Sequence, residues 1–463
     1  MKNAKRMIAA LLTACMMSTC TFGTAITAGA ATSVTAEAVY SRPVVKAYSR
    51  SGSITLKWNE ISGATRYRVY EYENGKLLKL KDTTDNFAVI EDVTAGKEYT
   101  LAVRALINGK WTKLMKSDLV TVKANAARAA SGKEMLTLWN DSAETKKALI
   151  SYMKEITDPA SPEYIPVENR IAVFDFDGTL FCETDPNYFD YTLLKYRVLE
   201  DPDYKDKASD FEKEVANKIK EQNETGASFD GLETDHGKAV ASAFSGMTLE
   251  EFNDYIQEFK KQAMPSYDGM LRGDGFYLPM LQIIDYLKAN DFTVYIISGT
   301  DRFIVRGILD NSAVDLPNSQ IIGSDELTVA TGQNGEDGLK YQYTQSDELV
   351  LGGEFIIKNL KMNKVSVIAQ EIGEQPVLSF GNSTGDSSMA NYTITDNKYK
   401  SLAFMLCCDD TERENGNITK ADKMYSLCEE NGWIAISMKD DWKTIYGDSV
   451  VYKGTASEEK EAA

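Results

Sequence analysis

The sequence predicts an α/β protein built on a Rossmann-like, doubly wound parallel sheet with a helical cap insertion, preceded by a separate all-β sandwich. Three observations carry this expectation. Short apolar runs such as Ile171-Ala172-Val173-Phe174 and Phe292 to Ile297 alternate with helix-period segments, as buried parallel strands and their crossover helices do. The stretch from Phe181 to Gly275 is acidic and helix-rich, with no second strong strand signal. Residues 41–124, in contrast, alternate apolar and polar positions with period two between glycine turns.

At 463 residues the chain has room for two or three domains with sizeable cores. Its net charge of −18 argues against a nucleic-acid-binding surface and offers no polybasic membrane patch. The charge is uneven. From Arg42 to Lys123 there are 15 basic and 9 acidic residues, a balance of about +6, so the acidity lies in the larger C-terminal part.

The first 30 residues read as a signal peptide. Lys2, Lys5 and Arg6 precede the apolar run Met7 to Met17, and Ala28-Gly29-Ala30 supplies a cleavage site. The apolar run is short for a bilayer span. The expected location is therefore secreted, extracellular or cell-surface associated, with no membrane span once the signal is removed. Cys15 and Cys20 leave with it. Cys182, Cys407, Cys408 and Cys428 form no CxxC pair, so neither a zinc site nor a redox motif is indicated, and their pairing stays open.

Within the sandwich segment Ile54, Leu56 and Trp58 alternate, as do Tyr67 and Val69, then Tyr99, Leu101, Val103 and Ala105. Turn signals fall at Ser62-Gly63, Asn74-Gly75, Ala95-Gly96 and Asn108-Gly109. On Ser53-Ile54-Thr55-Leu56-Lys57-Trp58, Tyr67-Arg68-Val69-Tyr70 and Val93-Thr94-Ala95-Gly96-Lys97-Glu98-Tyr99, the segment resembles a fibronectin type III domain. No catalytic constellation occurs there. The expected role is a spacer or adhesion module, with a cell-surface protein or polysaccharide as partner.

Residues 125–137 read as a linker. The α/β domain is expected over 138–453, with its cap over about 181–275 and a disordered tail over 454–463. Inside the cap, Thr248-Leu249-Glu250-Glu251 is a capping box opening a helix that carries Phe252, Tyr255, Ile256 and Phe259. A helix from Pro279 to Lys288 precedes the Phe292–Ile297 strand. Asp325 to Gly352 holds two alternating runs around Gly332-Gln333-Asn334-Gly335, which predict a hairpin. A helix at Lys364 to Ile372, strands at Val377 to Phe380 and Leu402 to Leu406, and a strand at Trp433 to Ile436 complete the alternation.

In such sheets ligands gather beyond the carboxyl ends of the strands, and four polar segments lie there. Asp175-Phe176-Asp177-Gly178-Thr179 places two carboxylates one residue apart, with Gly178 permitting a tight turn. Two such acids can hold a hard cation, and one can attack phosphorus while the other moves a proton. Ile296-Ile297-Ser298-Gly299-Thr300 offers a hydroxyl and a glycine turn for phosphate oxygens. A lysine near Asn363-Lys364 supplies a point charge for phosphate, with Lys361 as the alternative. Phe380-Gly381-Asn382-Ser383-Thr384-Gly385-Asp386 is an acidic loop suited to completing a cation site.

On these four motifs, and on the flanking Leu138-Trp139-Asn140-Asp141, Asp409 to Glu414 and Ser437 to Trp442, the chain from about Leu138 to Asp448 resembles the haloacid-dehalogenase-like hydrolases, especially phosphoserine-phosphatase-like members. The resemblance implies Asp175 as the nucleophile that forms an aspartyl-phosphate and Asp177 as general acid/base. It sets Thr179, Ser298, Gly299 and Lys364 on the phosphate side, Thr179 supporting the first loop. Mg²⁺ is the implied cofactor, bound by Asp175, the Asp177 backbone carbonyl and Asp386, with Asn382 as outer support where many relatives have Asp. A small phosphate ester such as phosphoserine or phosphorylcholine is the implied substrate. A phosphotransferase, or a non-catalytic surface protein with a degenerate hydrolase domain, is the alternative. Phe181, Cys182 and Glu183 either face substrate or begin the cap hinge. Asp409, Asp410 and Arg413 either line the site or form a solvated cluster. His236, the single histidine, is expected to be structural.

Overall fold

The computed structural model describes residues 42–124, apart from 51, 52, 60, 92 and 95, and residues 132–454, apart from 184–186. The expected signal peptide, most of the linker and nearly all of the expected tail lie outside the described residues.

The N-terminal domain is a two-sheet antiparallel sandwich. Val45–Arg50, Ser53–Trp58 and Phe87–Glu91 form one sheet. Lys76–Thr83, Ala64–Glu73 and Glu98–Ile107 form the other, with Lys110–Trp111 and Val120–Lys123 both pairing with Glu98–Ile107. The alternation read from sequence decides which side chains point inward, and Ile54, Leu56, Val69 and Leu101 are wholly buried between the sheets. Trp58 packs against Tyr67 at 5.3 Å, and the Tyr67 hydroxyl accepts from the Ile61 backbone N–H at 3.0 Å.

The second domain is a seven-stranded sheet in the order Leu349–Ile357, Ile321–Ala330, Thr293–Asp301, Ile171–Phe174, Leu378–Gly381, Leu402–Cys407, Ile434–Ser437. All neighbours are parallel except the edge pair Ile321–Ala330 and Leu349–Ile357. Ile171–Phe174 is central and its four residues are buried, as a strand covered on both faces must be. The chain winds from it in both directions, so its carboxyl end lies at the switch point where a crevice opens. Phe174, Phe380 and Phe404 stack across three adjacent strands, with centroids 4.3 and 4.8 Å apart.

Three local expectations are corrected. The strand expected to end at Ile297 continues to Asp301, because Asp301 pairs again with Ser324 after a break in register. The hairpin strands lie further out than the alternating runs, at Ile321–Ala330 and Leu349–Ile357. The helix expected at Lys364 to Ile372 starts at Met362 and finishes as a π-turn over Ile368–Ile372.

Four helices, Phe189–Leu199, Asp210–Thr225, Leu232–Ala243 and Leu249–Phe259, form the insertion. Reciprocal capping boxes open two of them: Ser209 with Glu212, and Thr248 with Glu251. The insertion is fastened to the sheet rather than free-standing. Ile256 sits where a Cβ on Gly307 would be, 2.8 Å away, and the Phe355 ring lies 2.6 Å from the corresponding point on Gly237. Among the described residues no helix is long and apolar enough to cross a membrane.

Candidate active site

The loop after Ile171–Phe174 is held by its own backbone. The Asp175 N–H donates to the Phe380 carbonyl at 2.8 Å, and the N–H groups of Thr179, Leu180 and Phe181 all converge on the Phe176 carbonyl. The Phe176 and Phe181 rings stack at 5.2 Å beneath the loop. Gly178 has φ +73°, and a Cβ there would lie 1.9 Å from Asn382 Nδ2 and 2.4 Å from Glu183 Oε2. Gly178→Ala is therefore expected to cost about 1–3 kcal/mol and to lower turnover by displacing both side chains. A thermal melt and kcat on one preparation check this.

Asp175 and Asp177 are both buried. Asp175 Oδ1 accepts from Lys364 Nζ at 2.5 Å, and the same ammonium donates to Asp386 Oδ1 at 2.7 Å. The other Asp386 oxygen accepts from the backbone N–H groups of Asn382 and Ser383 at 3.1 and 3.0 Å. Burial and the Asp386 charge push Asp175 up to about 7, against the pull of Lys364. Burial alone would lower Lys364, yet Asp175 and Asp386 hold it above the usual lysine range. Lys364 is buried and lies between the two acids, whereas Lys361 is exposed. Of the two candidates, only Lys364 stands at the acids.

Thr300, Asp177, Asp190 and Ser298, all buried, form the other wall. Thr300 Oγ1 lies 2.7 Å from Asp177 Oδ2 and 3.3 Å from Asp190 Oδ2, and the Thr300 N–H donates to Ser298 Oγ at 3.0 Å. Asp177 Oδ1 is buried with no partner among the described residues. Burial, then the charges of Asp190 and Asp175, raise Asp177 well above the usual carboxylate range. That leaves one anchored oxygen and one without a partner, an arrangement that suits a general acid. Gly299 has its carbonyl held by Ser324 Oγ at 2.6 Å, and Leu360 leaves no room for a side chain on it. Thr179 is wholly buried and its Oγ1 makes a long 3.5 Å bond to Asp175 Oδ2, so it positions the carboxylate from beneath.

Asn382 does not stand alone. Its Nδ2 donates to Glu183 Oε2 at 2.8 Å, and Glu183 Oε1 accepts from the Tyr188 hydroxyl at 2.8 Å. The start of the cap is thus tied to the loop carrying Asp386. Of the three residues offered for substrate contact, Phe181 and Cys182 are buried, Phe181 against Phe176 and Phe276, and only Glu183 reaches the site. Asp410 pairs with Arg413 at 2.6 Å, and Asp409 accepts from Tyr425 Oη at 2.7 Å and Ser437 Oγ, which ties the ends of two strands together. His236 stacks on Tyr191 at 4.0 Å inside the cap. Thr300 and Asp190 join the wall at Asp177 although motif reading gave them no role, whereas Glu183 was already a candidate. Thr300 lay in a quoted motif, but Asp190 had no local signal, since its partner is 110 residues away.

The donor set suits Mg²⁺. Asp175 and Asp386 approach one ammonium and keep further lone pairs, and all candidate donors are hard oxygens. Among the described residues no group of three acidic, histidine or cysteine side chains is gathered for a metal. Mg²⁺ requires no such cage, because it takes one or two carboxylates and leaves the remaining positions to backbone, water and phosphate.

Residues 172–391 match the family model of the haloacid dehalogenase-like hydrolases, a span that contains Asp175, Asp177, Ser298, Lys364, Asn382 and Asp386. Residues 172–391 are a haloacid dehalogenase-like hydrolase domain by this match. The haloacid dehalogenase-like domain thus holds every site residue named above, and the sandwich lies outside the match. Among solved structures, the chain is similar to a conserved functionally unknown protein from Anaerococcus prevotii DSM 20548, at 14% identity over 63% of this chain and 91% of that chain, with a TM-score of 0.39. It is also similar to cytosolic 5'-nucleotidase IIIB bound to cytidine, at 11% identity over 67% and 93% of the two chains, with a TM-score of 0.40. The structure of FN3tt is similar at 20% identity over 19% of this chain and 95% of that chain, with a TM-score of 0.17. No curated protein matches the chain.

Proposed function

We propose that this protein is an exported, Mg²⁺-dependent phosphomonoesterase acting on a small phosphorylated metabolite through an aspartyl-phosphate. The observation that carries the reading is Lys364 held between Asp175 and Asp386, facing an Asp177 with one oxygen anchored and one free. In the first step an Asp175 oxygen forms a bond to phosphorus as the bond from phosphorus to the leaving oxygen breaks. Asp177 gives that oxygen its proton. In the second step Asp177 takes a proton from water, water oxygen bonds to phosphorus, and the Asp175–phosphorus bond breaks. Lys364 and Ser298 offset and orient the phosphate charge, which two buried carboxylates would otherwise repel. Mg²⁺ bound by Asp175, the Asp177 carbonyl and Asp386 would supply further charge neutralisation.

The cap supports a small substrate, because an enclosed site excludes water and cannot thread a polymer. Export rests on the sequence of the first 30 residues, and the basic sandwich is proposed to contact a cell-surface protein or polysaccharide.

Purified protein is expected to release inorganic phosphate from p-nitrophenyl phosphate with Mg²⁺. Removal of Mg²⁺ with EDTA is expected to lower the rate at least about 100-fold, with recovery on adding Mg²⁺ but not Ca²⁺, whose larger shell fits in-line geometry less well. An undiminished rate in EDTA would remove the metal from the reading. A protein inert toward a full panel of phosphate esters would restore the non-catalytic alternative.

A further inference from the structure

Two cysteines from different elements meet in the core beneath the C-terminal half of the sheet. Cys407 ends the strand Leu402–Cys407, and Cys428 lies in the helix Ile418–Asn431, which crosses over from that strand to the edge strand Ile434–Ser437. Both are buried in one cluster with Ala390, Ala403, Ala421 and Met424. Contact with Cys428 and then burial raise the Cys407 thiol, and contact with Cys407 lowers that of Cys428, as two thiols within each other's reach do. The Cys407 S–H also approaches the Met405 carbonyl at 3.8 Å, a weak bond within its own strand.

Cys182 and Cys408 are engaged elsewhere. Cys182 Sγ lies 3.8 Å from the Tyr267 hydroxyl, and Cys408 Sγ donates to the Asn417 carbonyl at 3.6 Å. A bond between the neighbours Cys407 and Cys408 would have to join residues whose Cα atoms stand about 3.8 Å apart, below the roughly 4.4–6.8 Å that a disulfide takes. The cluster holding Cys407 and Cys428 consists mostly of small or flexible side chains, alanines and methionines. Their two sulfurs can therefore be drawn together with little displaced.

We propose that Cys407 and Cys428 are joined by a disulfide in the exported protein, a covalent tie between the strand and its crossover helix. The oxidant is a protein or small-molecule disulfide met outside the cytoplasm while the chain folds, so the inference rests on the export part of the reading above. One cysteine thiolate attacks the external disulfide and displaces one thiol. The other cysteine then attacks the mixed disulfide and displaces the second thiol. In all, two cysteine thiols give up two protons and two electrons, and one external disulfide becomes two thiols. The tie closes a loop of about 20 residues and stabilises mainly by restricting the unfolded chain. That loop carries Asp410, paired with Arg413, and Glu414, which accepts from the Tyr267 hydroxyl at 2.5 Å.

The test unfolds and reduces the full-length protein, then refolds it in reduced and oxidised glutathione, which supplies the oxidant whatever the protein's location. Maleimide blocks the remaining thiols in denaturant, and peptides are mapped by mass spectrometry without reduction. The expected map shows the Cys407 and Cys428 peptides linked, two hydrogens lighter than the separate pair, with maleimide on every other cysteine. The linked protein is expected to melt about 4 °C or more above the same protein refolded in dithiothreitol. Cys428→Ser should show no such difference, while Cys408→Ser should keep both the link and the shift. Maleimide on Cys407 and Cys428, or a link through Cys182 or Cys408, overturns the inference, and neither result depends on any variant folding. The same map on protein collected from the medium of an expressing bacterium reads the exported molecule, and maleimide at both positions there overturns the inference as well. Protein found only inside the cells overturns export and with it the oxidant, while p-nitrophenyl phosphate turnover reports the phosphomonoesterase reading separately.

Discussion

Asp175→Asn is expected to abolish phosphate release, lowering kcat by about 10⁴-fold or more, while leaving the fold intact. The amide nitrogen and carbonyl oxygen that replace the carboxylate cannot attack phosphorus with useful nucleophilicity. The structural consequence follows from counting buried charge. In the native protein Lys364 faces two carboxylates, Asp175 and Asp386, and Asp175 is the one pushed up by burial and by its acidic neighbour. Asparagine at 175 removes the excess charge and leaves Lys364 paired with Asp386. The melting temperature should therefore hold or rise, as it does when a strained catalytic charge is removed. A variant that folds normally and retains its rate would sink the covalent mechanism. Mass spectrometry of the native protein quenched during turnover should show one phosphoryl group on the peptide carrying Asp175.

Lys364→Met is expected to fail on both counts. Turnover should fall by about 10²–10³-fold or more, because a fixed positive charge in a dry site is lost from the phosphate. Stability should fall by about 3–5 kcal/mol, because two buried carboxylates are left with no cation between them. Lys361→Ala supplies the contrast. That side chain is exposed and its loss should change stability by less than about 0.5 kcal/mol. Chemical denaturation and steady-state kinetics on the two variants separate the lysines. Equal effects from both substitutions would mean that the pairing seen here does not carry the chemistry.

Sequence reading set Lys364 on the phosphate side with Lys361 as the alternative, and the packed structure separates the two. Lys361 and Lys364 lie one helical turn apart, and both satisfy the motif spacing. What separates them is which face of Met362–Val367 turns toward the Asp175 loop, and that depends on the whole domain closing up. The same holds for the strand through Ser298. Its apolar run ends at Ile297, so pattern reading stops there, but pairing with Ser324 extends the strand to Asp301 and aims Thr300 at Asp177. From its closeness to the nucleophile in sequence, Phe181 stood open between facing substrate and beginning the cap hinge. Its stacking on Phe176 turns it inward instead.

The sequence by itself determined the α/β class, the sandwich before it, the central strand Ile171–Phe174 and the loops that carry Asp175, Asp177, Ser298 and Asp386. These rest on periodicity, turn residues and strand-end chemistry, all local properties of the chain. Tertiary structure alone decided that Lys364 bridges two acids, that Asp190 shares a hydroxyl with Asp177, that Glu183 ties the cap to Asn382, and that Glu326 is buried without a partner. Each depends on segments far apart in the chain being brought to one strand end. Local pattern fixes which groups a segment can offer, and only the packed chain fixes what they meet.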